Sequence, residues 1–94
     1  MAAAVLTKLT TENFETWKTF YDQGEAMRRE HGVRGVSVMR DATNPNQLTI
    51  LTRFDSVDAA KAMMSSDAWK NASRNAKSPV TEAWFVDVAD ERTY

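Results

Sequence analysis

The stretch VRGVSVMRDATNPNQLTILTRF, residues 33–54, decides the fold because it holds two strand-like segments on either side of one turn. Val33–Arg40 and Leu48–Phe54 are rich in the β-branched and aliphatic residues that favour strands. Asp41–Gln47 lies between them, and its Asn44-Pro45-Asn46 sequence is typical of a turn. The stretch therefore predicts an antiparallel hairpin.

A long helix is predicted before the hairpin, from Thr11 to His31, with Gly32 as its C-terminal stop. Thr10 and Thr11 are placed to cap its beginning, since their hydroxyl groups can accept hydrogen bonds from the first free amides. Apolar positions repeat at helical spacing and share an arc of about 140°. These positions are Phe14, Trp17, Phe20, Tyr21, Gly24 and Met27.

Two shorter helices are predicted after the hairpin. Asp55 or Ser56 is placed to cap the first helix, and Ser66 is placed to cap the second. One straight helix would turn Trp69 roughly 120° away from the start of the apolar stripe, so the pattern favours a break at Ser65-Ser66. Ser78-Pro79 then ends the second helix.

One strand is predicted near each end of the chain, Ala3–Leu9 and Thr81–Val88, with Ala89–Tyr94 as a tail. The order is then β-α-β-β-α-β, the ferredoxin-like arrangement of the α+β class. In this arrangement a four-stranded antiparallel sheet carries its helices on one face. The length allows one domain over residues 1–94.

Both faces of this sheet are predicted to carry apolar side chains. In the last strand Trp84 and Val86 alternate with Ala83 and Phe85, so each face receives large apolar groups. A monomer with helices on one face would leave the other face polar. The sequence therefore predicts a homodimer in which a second copy covers the second face of the sheet.

Composition narrows the classes of function. The 94 residues carry 12 Lys and Arg against 13 Asp and Glu, a formal net charge of −1, which argues against a nucleic acid or an anionic membrane as partner. Cysteine is absent, which excludes thiolate catalysis and Cys-ligated metals. No His, Asp and Glu set has metal spacing, so no metal and no cofactor is predicted. No apolar run approaches a membrane span or a signal peptide, so a cytoplasmic location is expected.

Four residues of the first helix are candidates for a site. His31 and Tyr21 are candidate catalytic residues, since imidazole and phenol can exchange protons with a substrate. His31 could instead bond the free carbonyls of the helix end. Arg28 could bind a ligand carboxylate or phenolate. It could instead cover the core with its methylene groups, or pair with an acidic residue of the second copy. Gly24 costs a helix roughly 1 kcal/mol relative to alanine, which indicates that a close strand, a large neighbouring ring or a ligand needs the space.

Further candidates would form the wall of a ligand cavity between helices and sheet. Trp17 and Trp69, together with Tyr21, are large enough to enclose a flat ligand, although core packing explains such rings equally well. Met63 fits an adaptable wall or an ordinary core. Thr52 and Phe54 share one face of the third strand and complete the predicted ligand-binding set.

Several segments together resemble the dimeric α+β-barrel superfamily, in particular the antibiotic biosynthesis monooxygenases. They are Phe14–Phe20, Arg40–Asn46, Phe54-Asp55-Ser56 and Ser66–Lys70. The resemblance implies paired sheets and a ligand cavity in each subunit. It also implies, for several members, oxidation of phenolic or quinol substrates by dioxygen without a cofactor. Other members cyclise polyketides or degrade haem.

The chain departs from parts of this family pattern. Haem-degrading members have a haem-ligating His and a Trp where this chain has Ser73 and Met63, and a serine hydroxyl does not replace imidazole on iron. Many oxygenase members have a Glu and a His at the positions of Thr52 and Met63. Haem degradation is therefore not expected, and two polar groups of the usual cavity are missing.

The resemblance favours a small enzyme that oxidises an aromatic or polyketide-like molecule without a cofactor, with His31 or Tyr21 as the base. A polyketide cyclase or isomerase of the same fold is one alternative. A protein that binds an apolar small molecule without changing it is another, and a dimer with a filled core is a third. Fold alone does not choose among these activities.

Overall fold

The computed structural model describes residues 2–94 and has the predicted β-α-β-β-α-β order, with each helical region divided in two. The elements are β1 Ala3–Thr10, α1 Phe14–Gln23, α2 Glu25–Glu30, β2 Gly35–Arg40, β3 Gln47–Phe54, α3 Val57–Met64, α4 Asp67–Asn75 and β4 Val80–Asp87. The four strands form one antiparallel sheet in the order β2-β3-β1-β4. This is the ferredoxin-like α+β architecture predicted from the sequence.

The two central strands carry the core on the face that the helices cover. The register pairs Val5 with Thr52 and Leu9 with Leu48, so alternate residues of both strands point to the helices. Two buried clusters form there. The first contains Val5, Phe54, Ala60 and Met63, and the second contains Leu9, Trp17, Leu48 and Ile50. The candidate site lies between these clusters.

The first helical region differs from the predicted single helix. It breaks at Gly24, whose N–H donates to the carbonyl oxygen of Tyr21 rather than continuing the helical pattern (N···O 3.0 Å). Asn13 is its N-cap, and the Asn13 side chain accepts a hydrogen bond from the Thr16 N–H at 3.0 Å. The cap predicted at Thr10 and Thr11 is wrong because Thr10 still belongs to β1.

The end of α2 explains why β2 is shorter than predicted. Gly32 has φ +84°, which confirms it as the stop, since glycine adopts the left-handed region readily. The Val33 N–H then donates to the Arg28 carbonyl at 3.0 Å. Because the Val33 N–H bonds to the end of the helix, it is not available for strand pairing, and the strand begins at Gly35.

The predicted break in the second helical region is confirmed. The Ser56 hydroxyl accepts from the Ala59 N–H at 3.1 Å and caps α3. The Ser66 hydroxyl accepts from the Trp69 N–H at 3.2 Å and caps α4. The second cap allows α4 to start in a new direction, which brings Trp69 against the first core cluster.

The face of the sheet opposite the helices carries several apolar side chains. Met39, Trp84 and Val86 are 43%, 44% and 39% exposed. The register places Leu6 opposite both Leu51 and Trp84, so these groups share one surface. We call Leu6, Met39, Leu51, Trp84 and Val86 the apolar sheet face. None of the helices in residues 2–94 is long and apolar enough to cross a membrane.

Candidate functional site

A cavity of about 90 Å³ lies between the sheet and the helices and is partly open to solvent. Its floor is formed by side chains of β1 and β3, and its walls by residues of α1, α2, α3 and α4. It borders both core clusters, because Val5 and Met63 of the first and Trp17 and Ile50 of the second line it. The cavity is therefore a gap in the core rather than a groove on the surface.

The structure brings most of the predicted ligand-binding residues together at this cavity. Those that line it are Trp17, Tyr21, Gly24, Arg28, Thr52, Met63 and Trp69. Phe54 does not line it: the ring is 1% exposed and packs in the first core cluster. The prediction placed Phe54 with Thr52 because both share a strand face, but α3 covers the position of Phe54 and leaves Thr52 open to the cavity.

His31 is also outside the cavity lining. It is the C-cap of α2, and its Nδ1–H donates to the Met27 carbonyl oxygen at 2.8 Å. This contact resembles the alternative interpretation of His31, in which the ring bonds a carbonyl at a helix end. The Met27 carbonyl is not free, however, because it also accepts the His31 backbone N–H at 3.1 Å. The geometry gives His31 no contact with a molecule in the cavity.

Tyr21 holds the most unusual polar group of the site. Among the described residues, its hydroxyl is the one buried side-chain polar atom without a hydrogen-bond partner. The ring stacks on Trp17, with centroids 4.8 Å apart and planes at 22°. A buried hydroxyl without a partner costs on the order of 1–3 kcal/mol, so a ligand oxygen that supplied the partner would gain from this contact.

The protonation of Tyr21 decides which role it can play. Burial raises the pKa of the Tyr21 hydroxyl, with a small addition from Asp22, while the positive charge of Arg28 opposes the shift. Because the net direction is upward from an already high value, the hydroxyl keeps its proton at neutral pH. It is therefore a hydrogen-bond donor in the resting site, and this favours stabilisation of a substrate anion over the base role considered above.

Arg28 and Gly24 form a second unusual feature. The Arg28 guanidinium lies 3.9 Å from the centroid of the Tyr21 ring, and its Nη1 donates to the Tyr21 carbonyl oxygen at 2.8 Å. A Cβ atom added at Gly24 would lie 3.0 Å from Nη1, closer than such contacts normally are. The glycine that the sequence marked as costly therefore leaves the space in which the guanidinium lies.

Other lining residues were not included in the predicted site. Phe20, Met27, Met64 and Ser73 also contact the cavity. Phe20 and Met27 lie on the predicted apolar arc of the first helix, so the periodicity contained the signal needed to find them. No His, Asp, Glu or Lys is among the lining residues, and residues 2–94 hold no group of three or more potential metal ligands.

Comparison with known proteins agrees with this architecture. The model of the antibiotic biosynthesis monooxygenase family matches residues 5–75. SnoaB of Streptomyces nogalater, a cofactor-independent oxygenase, is similar with a TM-score of 0.80 and 10% identity over 96% of this chain and 95% of SnoaB. A Bordetella bronchiseptica protein, provisionally named an antibiotic biosynthesis monooxygenase, is similar with a TM-score of 0.77 and 12% identity. The match covers 94% of this chain and 97% of that protein.

A third structure, from Chloroflexus aurantiacus and provisionally named in the same way, gives a TM-score of 0.72 and 15% identity over 99% of this chain and 98% of that one. No curated protein matches the sequence significantly. Identities this low show a common fold, whereas the family match covers most of the sequence itself. The chain belongs to the antibiotic biosynthesis monooxygenase family.

Proposed function

We propose that this protein is a cofactor-independent oxygenase that inserts one atom of dioxygen into a small, acidic aromatic molecule bound in the cavity. The observation that carries the proposal is the buried, unpartnered hydroxyl of Tyr21, a residue that lines an otherwise largely apolar cavity. Membership of the family supports the reaction type, and SnoaB shows that the same fold supports oxygenation without a cofactor.

The size of the cavity favours a single-ring substrate over a fused polycyclic one. Drug-sized ligands occupy pockets of about 300–1,000 Å³, and a cavity of about 150 Å³ accepts benzene. The cavity here measures about 90 Å³ and opens to solvent, so one ring requires modest movement of its walls. Met27, Met63 and Met64 line it, and methionine side chains adapt their shape at low cost.

The proposed reaction takes all its electrons from the substrate. A quinol loses a phenolic proton to solvent, and the charge of the resulting phenolate spreads onto a ring carbon. This carbon forms a C–O bond with dioxygen, and breakage of the O–O bond leaves one oxygen on the ring and releases the other as water. Conversion of a quinol to a hydroxyquinone is a four-electron oxidation, which balances the four-electron reduction of dioxygen.

The protein contributes stabilisation of the anion in this scheme. The Tyr21 hydroxyl donates a hydrogen bond to the phenolate oxygen, and the Arg28 charge beside the Tyr21 ring favours any anion bound there. No carboxylate lines the cavity to oppose that charge. The apolar walls lower the local dielectric constant around the bound anion, which strengthens both interactions.

Replacement of Tyr21 by Phe is expected to lower turnover about 100-fold, because it removes one hydrogen-bond donor from the developing anion. Stability should stay the same or rise, since the lost hydroxyl has no partner in the folded protein. Oxygen uptake with hydroquinone and 2,5-dihydroxybenzoate, and incorporation of oxygen-18 into the product, measure the effect. Thermal unfolding measures stability.

Tyr94→Phe is the matched control, because it makes the same chemical change at a fully exposed residue. It should leave uptake at the value of the unmodified protein. Equal rates for Tyr21→Phe and Tyr94→Phe would contradict the role of Tyr21. Absence of oxygen uptake above the uncatalysed rate, across a broad panel of quinols, would contradict the oxygenase itself.

A binding protein without catalysis is the second candidate. It is favoured by one observation, namely that no His, Asp or Glu lines the cavity to move a proton. This candidate predicts that a bound aromatic molecule is recovered unchanged, whereas a cyclase or isomerase predicts a rearranged product without oxygen consumption. Mass analysis of the recovered ligand separates all three cases.

We also propose that two copies pair through the apolar sheet face. Three of its side chains are about two-fifths exposed in the single chain. The register aligns Trp84 with Leu6 and Leu51, so these residues form an apolar surface across three strands. Such surfaces in soluble proteins commonly mark an interface. A self-complementary pairing through a two-fold axis is the simplest assembly for one chain type.

A further inference from the structure

We infer that Arg28 anchors a carboxylate of the substrate, so that the cavity selects compact aromatic acids over neutral rings of the same size. The inference rests on the proposed function, because it assigns a substrate class to the same cavity. It separates two polar contacts: Tyr21 holds the oxygen at which the chemistry starts, and Arg28 holds the acid group.

The first support is that Arg28 has no acidic partner among the described residues, whereas several other arginines do. Arg29 pairs with Glu25 at 3.5 Å, and Arg34 pairs with Asp55 at 2.8 Å. The Arg28 guanidinium instead has one hydrogen bond, to the Tyr21 carbonyl. Since a guanidinium has five N–H donors, most of its donors stay open to a ligand.

The second support is the position of Arg28 between the cavity and solvent. Arg28 lines the cavity and also lines the outer groove that contains Arg29, Arg34 and Glu25. A carboxylate on Arg28 would keep part of its hydration while the attached ring enters the apolar cavity. This arrangement avoids the large cost of burying a charged group completely. Glu25, the acidic residue of that groove, is already paired with Arg29.

The third support is that the guanidinium is held in place before a ligand binds. Its contact with the Tyr21 ring and its bond to the Tyr21 carbonyl both restrict its orientation, and Gly24 leaves the room for it. A guanidinium held in one orientation can donate two parallel N–H hydrogen bonds to the two oxygens of a carboxylate. The cavity lining has no carboxylate or imidazole that could remove a proton from a neutral ligand. A carboxylic acid needs no such base, because it is already ionised at neutral pH.

The test compares benzoate with benzamide, which have similar shape but differ in charge. Both are titrated into the purified protein and followed by tryptophan fluorescence, since Trp17 and Trp69 line the cavity, and by saturation-transfer NMR. We expect benzoate to bind at least tenfold more tightly than benzamide, because hydrogen bonds between two charged groups are among the strongest. Arg28→Gln should remove this preference.

Arg74→Gln is the matched control. It removes the same charge from an exposed residue that does not line the cavity and has no acidic partner among the described residues, so it should leave the preference intact. Arg28→Lys keeps the positive charge but loses the paired N–H donors of the guanidinium, so it should retain only part of the preference. Gly24→Ala provides a variant with Arg28 still present: its methyl group pushes on Nη1 and should weaken benzoate binding several-fold without loss of stability.

Equal binding of benzoate and benzamide overturns the inference. So does a preference that survives in Arg28→Gln, or one that falls equally in Arg74→Gln. Absence of benzoate binding up to millimolar concentration overturns it as well. If Arg28→Gln fails to fold, the Gly24→Ala variant tests the inference instead, and unchanged benzoate binding in that variant overturns it. Turnover distinguishes the two proposals. Oxidation of hydroquinone without any benzoate preference refutes the anchor alone, and a benzoate preference without any oxygen uptake refutes the oxygenase alone.

Discussion

Replacement of Phe54 by Ala is expected to lower the free energy of unfolding by about 3–5 kcal/mol, the usual cost of removing a buried aromatic side chain. Phe54 is 1% exposed and packs with Val5, Ala60 and Met63. Domains of this size have a total stability of only about 5–15 kcal/mol, so the variant should lose a large share of its stability and unfold at a clearly lower urea concentration. Urea unfolding followed by circular dichroism measures the change.

Phe85→Ala is the control for this prediction. It removes the same atoms from a ring that is 39% exposed on the edge strand β4, so its effect on stability should be clearly smaller. Losses of equal size would show that Phe54 is not the core residue described here. A loss of ligand binding without a loss of stability would instead restore the predicted role of Phe54 in the cavity.

The sequence predicted the elements well wherever a local signal determines the structure. Ser56 and Ser66 cap helices because their hydroxyl groups satisfy free amides close by in the chain, and no distant contact is needed. Gly32 ends α2 for an equally local reason, its positive φ. Alternation likewise identified which residues of β3 face the helices.

The predictions failed where tertiary contacts override local preference. Thr10 has the side chain of a good cap, but strand pairing extends through this residue and moves the helix start to Phe14. Gly24 was expected inside one helix, and it divides the helix in two. The periodicity could not show this break, because apolar positions on both sides of Gly24 still face the same cavity.

The same limit applies to the site. Alternation places Thr52 and Phe54 on one face, but only the position of α3 determines that Phe54 is covered and Thr52 is open. Periodicity places Arg28 and His31 on the inner arc of the first helix, but α2 ends at Glu30, so His31 turns to the Met27 carbonyl while Arg28 reaches the cavity. Sequence gives the direction of a side chain more reliably than its depth.

Replacement of Trp84 by Glu is expected to convert the proposed dimer into monomers. Trp84 belongs to the apolar sheet face, and a buried aromatic anchor of an interface typically contributes 2 kcal/mol or more. A two-fold axis places the substitution in both halves of the interface, which doubles the cost to about 4 kcal/mol and raises the dissociation constant roughly 1,000-fold. Sedimentation equilibrium over a range of concentrations measures this change.

Phe85→Glu is a close control, because the next residue of β4 has similar exposure and points to the opposite face of the sheet. The dimer should survive this substitution if the apolar sheet face is the interface. A monomeric unmodified protein would contradict the proposed pairing directly. Dissociation caused by Phe85→Glu but not by Trp84→Glu would place the interface on the face of the sheet that carries the helices, and so would contradict pairing through the apolar sheet face.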